Sequence, residues 1–416
     1  MLQVCLILAV SALCASQPVE PNLPILKEVP AEVNFRVPDR GDLVLNCATI
    51  QSDDHVKYSW LKDGKPFSPR PDIKQQEKEG TLIFKNPVDS DEGQYQCLAQ
   101  SDFGVATSRA INVKKYFIEK PKVELKKHKP IDGKTYQLEC NIPKSYPKPE
   151  ITWAIKSGGE FNPVKGAKFT ISPEGTLYFA SVNKEDVGVD KTYVCLGETP
   201  ASDDAVPLAE HVLEDIVPDN GPKDHEVVKQ YVSNEVTAKV GESIYLYCIY
   251  GGDPLAHPDW FKDGKDVNND SKDRVTRYNR SVGKRLIIKD VWASDEGEYT
   301  CTVNNEIGKL QKSTMRLKVV SEPKLFINVV PKMVVKAGED VTIPCQVTGT
   351  PLPKITWTRN TEALPSKAVL KESSNGNISI SDMSIHGVQK DDGGYYGCRA
   401  RNEYGEVYVE TLLYVL

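Results

Sequence analysis

Past residue 14, eight cysteines recur as a regular series: Cys47, Cys97, Cys140, Cys195, Cys248, Cys301, Cys345 and Cys398. Taken in order as pairs they are separated by 50, 55, 53 and 53 residues. A tryptophan follows the first member of each pair by twelve or thirteen residues (Trp60, Trp153, Trp260, Trp357), and a tyrosine stands two residues before the second (Tyr95, Tyr193, Tyr299, Tyr396). Self-similarity at a fixed period means one structural unit used repeatedly, and four such units nearly fill the 416 residues. An even cysteine count is what an oxidising compartment turns into disulfides, although eight cysteines allow 105 connectivities and the count alone chooses none. Zinc does not fit. Its paired ligands stand two to four residues apart, whereas these cysteines are more than 40 apart.

The segments around the cysteines read as strands. Leu43-Val-Leu45-Asn-Cys47 and Tyr245-Leu-Tyr247-Cys248 lead into the first cysteine of a pair, and Leu82-Ile-Phe84 and Leu286-Ile-Ile288 lie before the tyrosine, all with alternating apolar residues. Helical periodicity is nowhere sustained. Lys62-Asp63-Gly64-Lys65 and its near copy Lys262-Asp263-Gly264-Lys265, each two residues past the tryptophan, predict hairpin turns that need positive φ. The expected fold class is all-β.

Three units carry Asp-x-Gly-x-Tyr-x-Cys, at Asp91 to Cys97, Asp295 to Cys301 and Asp392 to Cys398; proline-rich approaches to Trp153 and Trp357 accompany it. This spacing resembles the immunoglobulin sandwich, in which a disulfide joins two sheets, the tryptophan packs on it and the tyrosine hydroxyl closes a corner. The units resemble intermediate-set domains of neuroglian-type neural adhesion molecules. With an amino-terminal leader and four such domains, the whole chain resembles the secreted immunoglobulin-superfamily immune proteins of insect haemolymph. That resemblance implies a disulfide within each unit, four tandem β-sandwiches folded back as a horseshoe, binding of bacterial lipopolysaccharide and lipoteichoic acid, attachment to haemocytes, and homophilic self-association. It brings no motif that fixes a binding site. The alternative function is a homophilic cell-adhesion module or soluble adhesion-molecule ectodomain.

Leu2 to Cys14 is the only long apolar run, too short for a bilayer and followed by small residues, so residues 1–16 read as a secretory signal peptide. No second run and no lipid-anchor tail appears, which predicts an extracellular protein without a membrane anchor. The formal net charge of -6 argues against nucleic acid as a partner. The domains are expected at 17–114, 115–216, 231–320 and 321–416, with a linker at 217–230. From Cys195 to Cys248 the chain has about ten residues more than the equivalent stretches at Cys97 and Cys301. Glu198 to Glu226 is acidic and holds Pro200, Pro207, Pro218 and Pro222 with an Asn220-Gly221 turn. Tight outer junctions and a slack middle allow a horseshoe; an extended four-bead rod fits the same lengths.

The strongest charge feature is Lys114 to Lys134, with eight lysines against three acids. Lys120, Lys122, Lys126, Lys127 and Lys129 are the candidate anion-binding residues, able to focus attraction on phosphates; lysines on a first strand also discourage edge pairing. The acidic stretch, with Asp203, Asp204, Glu214, Asp215, Asp219 and Asp224, is expected to solvate a loop or to meet those lysines, and it lacks the spacing of a calcium loop. Arg40-Gly41-Asp42 matches an integrin-read tripeptide, but the strand-opening turn explains Gly41 and Asp42 without one. Asn269, Asn279 and Asn377 head glycosylation sequons, the last at the start of a strand pattern. Trp292 is expected to face outward. The sequence shows no His-Glu-x-x-His, phosphate loop or Gly-x-Ser-x-Gly, and the six histidines are scattered. No catalysis, metal or cofactor is expected.

Overall fold

The computed structural model describes residues 24–37, 41–51, 55–76, 78–267, 274–278 and 284–416. The leader at 1–16, Arg40, Asn269 and Asn279 lie outside them. Four β-sandwich domains follow one another. Each has near its start a strand that runs parallel to the domain's last strand: Glu32–Arg36 on Ile111–Ile118, Leu125–His128 on Val206–Leu213, Glu235–Lys239 on Gln311–Leu325, and Lys332–Val335 on Gly405–Val415. Elsewhere in the described sheets the pairing is antiparallel, as in Leu43–Leu45 with Leu82–Phe84.

The repeat maps onto one core built four times. Disulfides close Cys47 to Cys97, Cys140 to Cys195, Cys248 to Cys301 and Cys345 to Cys398. Trp60, Trp153, Trp260 and Trp357 are buried in the same apolar clusters as those bridges. Each corner tyrosine donates its hydroxyl to the carbonyl of the upstream aspartate: Tyr95 to Asp91, Tyr193 to Asp186, Tyr299 to Asp295 and Tyr396 to Asp392, at 2.7 to 3.0 Å. In the second domain three extra residues between Gly188 and Tyr193 are absorbed without losing that bond. The Lys-Asp-Gly-Lys turns adopt positive φ at both central residues, 52° and 74° at Asp63 and Gly64, 47° and 79° at Asp263 and Gly264, the type I′ geometry that matches strand twist.

The outer junctions have no linker at all. Ile111–Ile118 ends the first domain's sheet and pairs onward with Ser145–Tyr146 of the second. Gln311–Leu325, fifteen residues long, pairs with Gly297–Val303 and then with Gln346–Thr350 of the fourth. A single hydrogen-bonded strand shared by two sandwiches makes each pair a stiff rod. The middle connection is shorter than the expected 217–230, because His225–Val232 is already a strand, held by Ile244–Asp253. Only Pro218 to Asp224 lies outside any strand or bridge there.

The second rod folds back on the first, giving a horseshoe. Between the second and third domains, Gln230 donates to the carbonyls of Tyr136 and Phe179, the Tyr231 ring lies tilted against Tyr178, and the amide of Gly252 donates to the Ala180 carbonyl. Gly251 has no room for a side chain: a Cβ there would lie 2.3 Å from Thr135 and 2.6 Å from the Ala180 carbonyl. Between the first and fourth, Val56, Ala99 and Ala106 pack on Tyr395 and Leu412. Phe103 meets Tyr414 edge-on, and Thr107, Val105 and Arg109 donate to Glu410, Asn360 and the Glu406 carbonyl.

Candidate functional site

The basic segment becomes the edge strand Leu125–His128, anchored by its parallel pairing with Val206–Leu213. Lys120, Lys122, Lys126, Lys127 and Lys129 are all exposed. They are not equivalent. Lys127 is tied to Glu214 at 2.7 Å and Lys122 to Glu124 at 2.9 Å, while no carboxylate of the described residues lies within ion-pair distance of Lys120, Lys126 or Lys129. The ammonium groups outside any ion pair are therefore those three, although Lys129 stands near enough to help Lys127 hold the Glu214 carboxyl down.

Strand alternation puts Lys126 and His128 on one face, and behind them runs a chain of hydrogen bonds. The hydroxyl of Tyr136 lies 3.0 Å from His128 Nδ1, His128 Nε2 lies 2.9 Å from His211 Nδ1, and His211 Nε2 lies 2.9 Å from the Glu139 carbonyl. A carbonyl only accepts, so His211 carries its proton on Nε2. His211 Nδ1 then accepts from His128 Nε2, and His128 Nδ1 accepts from Tyr136. Both rings are neutral in this arrangement. Burial pushes both imidazoles down, and Lys126 adds to the effect on each. The patch thus carries its charge on lysines alone.

The acidic stretch does meet cations, and it does so pair by pair: Asp203 with Arg36 of the first domain at 2.7 Å, Glu214 with Lys127, and Asp219 with Lys134 at 3.1 Å. Among the described residues no group of three or more His, Cys, Asp or Glu is placed to hold a metal ion. Asp42 pairs with Lys85 at 2.5 Å across the strand-opening turn. Asn377 lies in the exposed two-residue turn between Val369–Asn375 and Ile378–Ile385, where Gly376 takes φ 58°; the strand begins one residue later than its sequence pattern implies, and the sequon asparagine is open to solvent. Trp292 faces outward, 52 % exposed, with the Arg274 guanidinium 4.1 Å from its ring centre.

Sequence reading missed two sets of residues. The first is a cation beneath every tyrosine corner: Arg70 with Asp91 at 2.5 Å, Lys168 with Asp186 at 2.6 Å, Arg274 with Asp295 at 2.6 Å, and Lys367 with Asp392. The cation precedes the aspartate by 18 to 25 residues, so that spacing was available as a signal. The second is one ionisable group in each seam between rods, the buried Lys284 and the half-buried Glu410, for which no local motif exists.

Comparison with known proteins gives the family. The immunoglobulin I-set domain matches residues 227–319 and 324–415, and a further immunoglobulin domain model matches 24–101. Hemolin of Manduca sexta is 44% identical over 97% of each chain. The chain belongs to the hemolin family. A crystal structure of the insect immune protein hemolin, described as a domain arrangement with implications for homophilic adhesion, superposes with a TM-score of 0.84 at 42% identity, covering 94% of this chain and 100% of that one. Neuroglian of Drosophila melanogaster is 32% identical over 98% of this chain, which spans 32% of neuroglian. The protein is thus an immunoglobulin-superfamily member of insect immune and adhesion type, in a family of non-enzymatic adhesion and binding proteins. No helix among the described residues is long and apolar enough to cross a membrane.

Proposed function

We propose that this hemolin-family chain is a secreted innate-immune recognition protein that binds the phosphates of bacterial surface glycolipids, lipopolysaccharide and lipoteichoic acid, and modulates haemocyte adhesion. The observation that carries the reading is the set of three exposed ammonium groups outside any ion pair, Lys126 and Lys129 at the edge strand of the second domain and Lys120 on the segment leading into it. Such groups attract a polyanion and lose that attraction to salt. Near an anionic surface each lysine contributes about 1 kcal/mol, so replacing all three by glutamine weakens binding to lipopolysaccharide by roughly a hundredfold at low salt. The variant also shows a flatter salt dependence, whereas replacing Lys122 and Lys127, already paired, does much less. Equal affinity of wild type and triple variant at low and physiological salt removes this edge as the site.

A second reading, homophilic adhesion, is favoured by the neuroglian similarity and by the description of the related crystal structure. Sedimentation separates the two: concentration-dependent dimers indifferent to glycolipid support adhesion, and glycolipid binding by a monomer supports recognition.

A further inference from the structure

Residues 24–29 belong to none of the first domain's strands, yet they touch two domains. Two backbone bonds tie them to their own domain, from the Lys27 amide to the Ala48 carbonyl at 2.9 Å and from the Ile50 amide to the Ile25 carbonyl at 2.8 Å, around an isolated bridge between Leu26 and Thr49. The fourth domain holds them from the other side: the buried Tyr395 hydroxyl donates to the Pro24 carbonyl at 2.5 Å, across 371 residues of sequence. Pro24 is itself buried. The Leu26 side chain packs in two places at once, on the core of the first domain and on the seam cluster of Val56, Ala99, Ala106, Tyr395 and Leu412.

The other seam is built the same way but more firmly. There the leading strand of the third domain, His225–Val232, is eight residues long, pairs with Ile244–Asp253 and sends Gln230 to two carbonyls of the second domain. In the first domain the corresponding segment has one bridge, and between it and the last strand of the fourth domain lies a cleft of about 520 Å³, with Ile25 and Val29 on one wall and Val409 and Leu412 on the other. The facing sheets thus leave this contact unfilled. We propose that residues 24–29 are a strap whose seating across the seam, in addition to the facing sheets, locks the first domain onto the fourth. The Tyr395 bond and the outer half of the Leu26 contact exist only in the closed form, so they are credited to closure in full. With the strap unseated the horseshoe opens at this end, while both sandwiches keep their disulfide-closed cores. The inference is independent of the glycolipid reading.

Hydrogen exchange of the intact protein tests this at the Thr107 amide, which donates to Glu410 across the seam, with amides of Leu82–Phe84 inside the first domain as internal reference. Tyr395→Phe keeps the ring and removes only the hydroxyl; it is expected to lower Thr107 protection by roughly fivefold with the reference unchanged. Leu26→Ala is expected to lower Thr107 protection, relative to the reference, by roughly tenfold. Both changes act on one contact, so the double variant is expected to be no less protected than Leu26→Ala alone. Unchanged Thr107 protection in Tyr395→Phe, losses that multiply in the double variant, or a Leu26→Ala loss equal at Thr107 and in the reference strand overturns the proposal.

Discussion

Lys284 offers the sharpest test of the seam between the second and third domains. It is 1 % exposed, and its ammonium group donates to the Ala167 carbonyl of the second domain at 3.2 Å. Burial pushes it down from 10.5 to about 8. At about 1.36 kcal/mol per pH unit, the charged form is destabilised in the folded protein by roughly 3 kcal/mol. Lys284→Met keeps the length and removes the charge, giving up one hydrogen bond worth about 1 kcal/mol. The variant is therefore expected to be more stable by about 2 kcal/mol at pH 7. A lysine with a depressed value destabilises below 8 and ceases to do so as pH rises towards 10.5, so the wild type gains stability over that window and the variant does not. Urea unfolding, followed by exchange at the Leu286 and Ile287 amides, gives both curves. A variant less stable than wild type at pH 7, or a difference that stays constant up to pH 10, refutes the reasoning.

Removing the corner cation of the third domain, Arg274→Ala, strands the buried Asp295 and is expected to cost about 3 kcal/mol of that domain's stability in urea melts. Despite its burial, the Arg274 guanidinium and Trp292 amide hold the Asp295 carboxyl below its ordinary 3.8, so their contribution is present above that value and lost in acid below it; the variant lacks that acid limb. Trypsin is expected to cut first after exposed Lys223 in the strand-free hinge. The nicked halves should then elute as one species at tens of micromolar, and immediate separation would show that the two seams do not hold the rods together.

The four sandwiches were legible because each depends on residues close to a fixed cysteine. The Trp60 indole, the Tyr95 hydroxyl and the Asp63-Gly64 turn each answer a local geometric demand, repeated three more times. Rod stiffness followed from the short stretches after Cys97 and Cys301. The choice between horseshoe and rod did not, since it rests on contacts such as Thr107 with Glu410, 303 residues apart. The basic edge was visible as composition, but which lysines are free depended on where Glu214 and Glu124 fell. Lys284 looks like an ordinary surface residue in sequence, yet it is buried and bonded to a carbonyl of the second domain.

That contrast also separates what holds the sandwiches from what holds the seams. Each core is closed over a loop of about 50 residues by a disulfide, which constrains the unfolded chain by several kcal/mol, and its tryptophan and tyrosine carry no charge at neutral pH. The seams face a different competitor, the open form, in which the rods remain tethered by the hinge. A short flexible tether holds the two faces at an effective concentration in the millimolar range, so an interface of modest affinity suffices to keep the horseshoe closed. A balance that fine is shifted by a single buried group such as Lys284, whose proton affinity falls by two pH units or more. A second molecule competes for the same faces only when the seam is weakened to the point where its own concentration rivals that of the tethered domain.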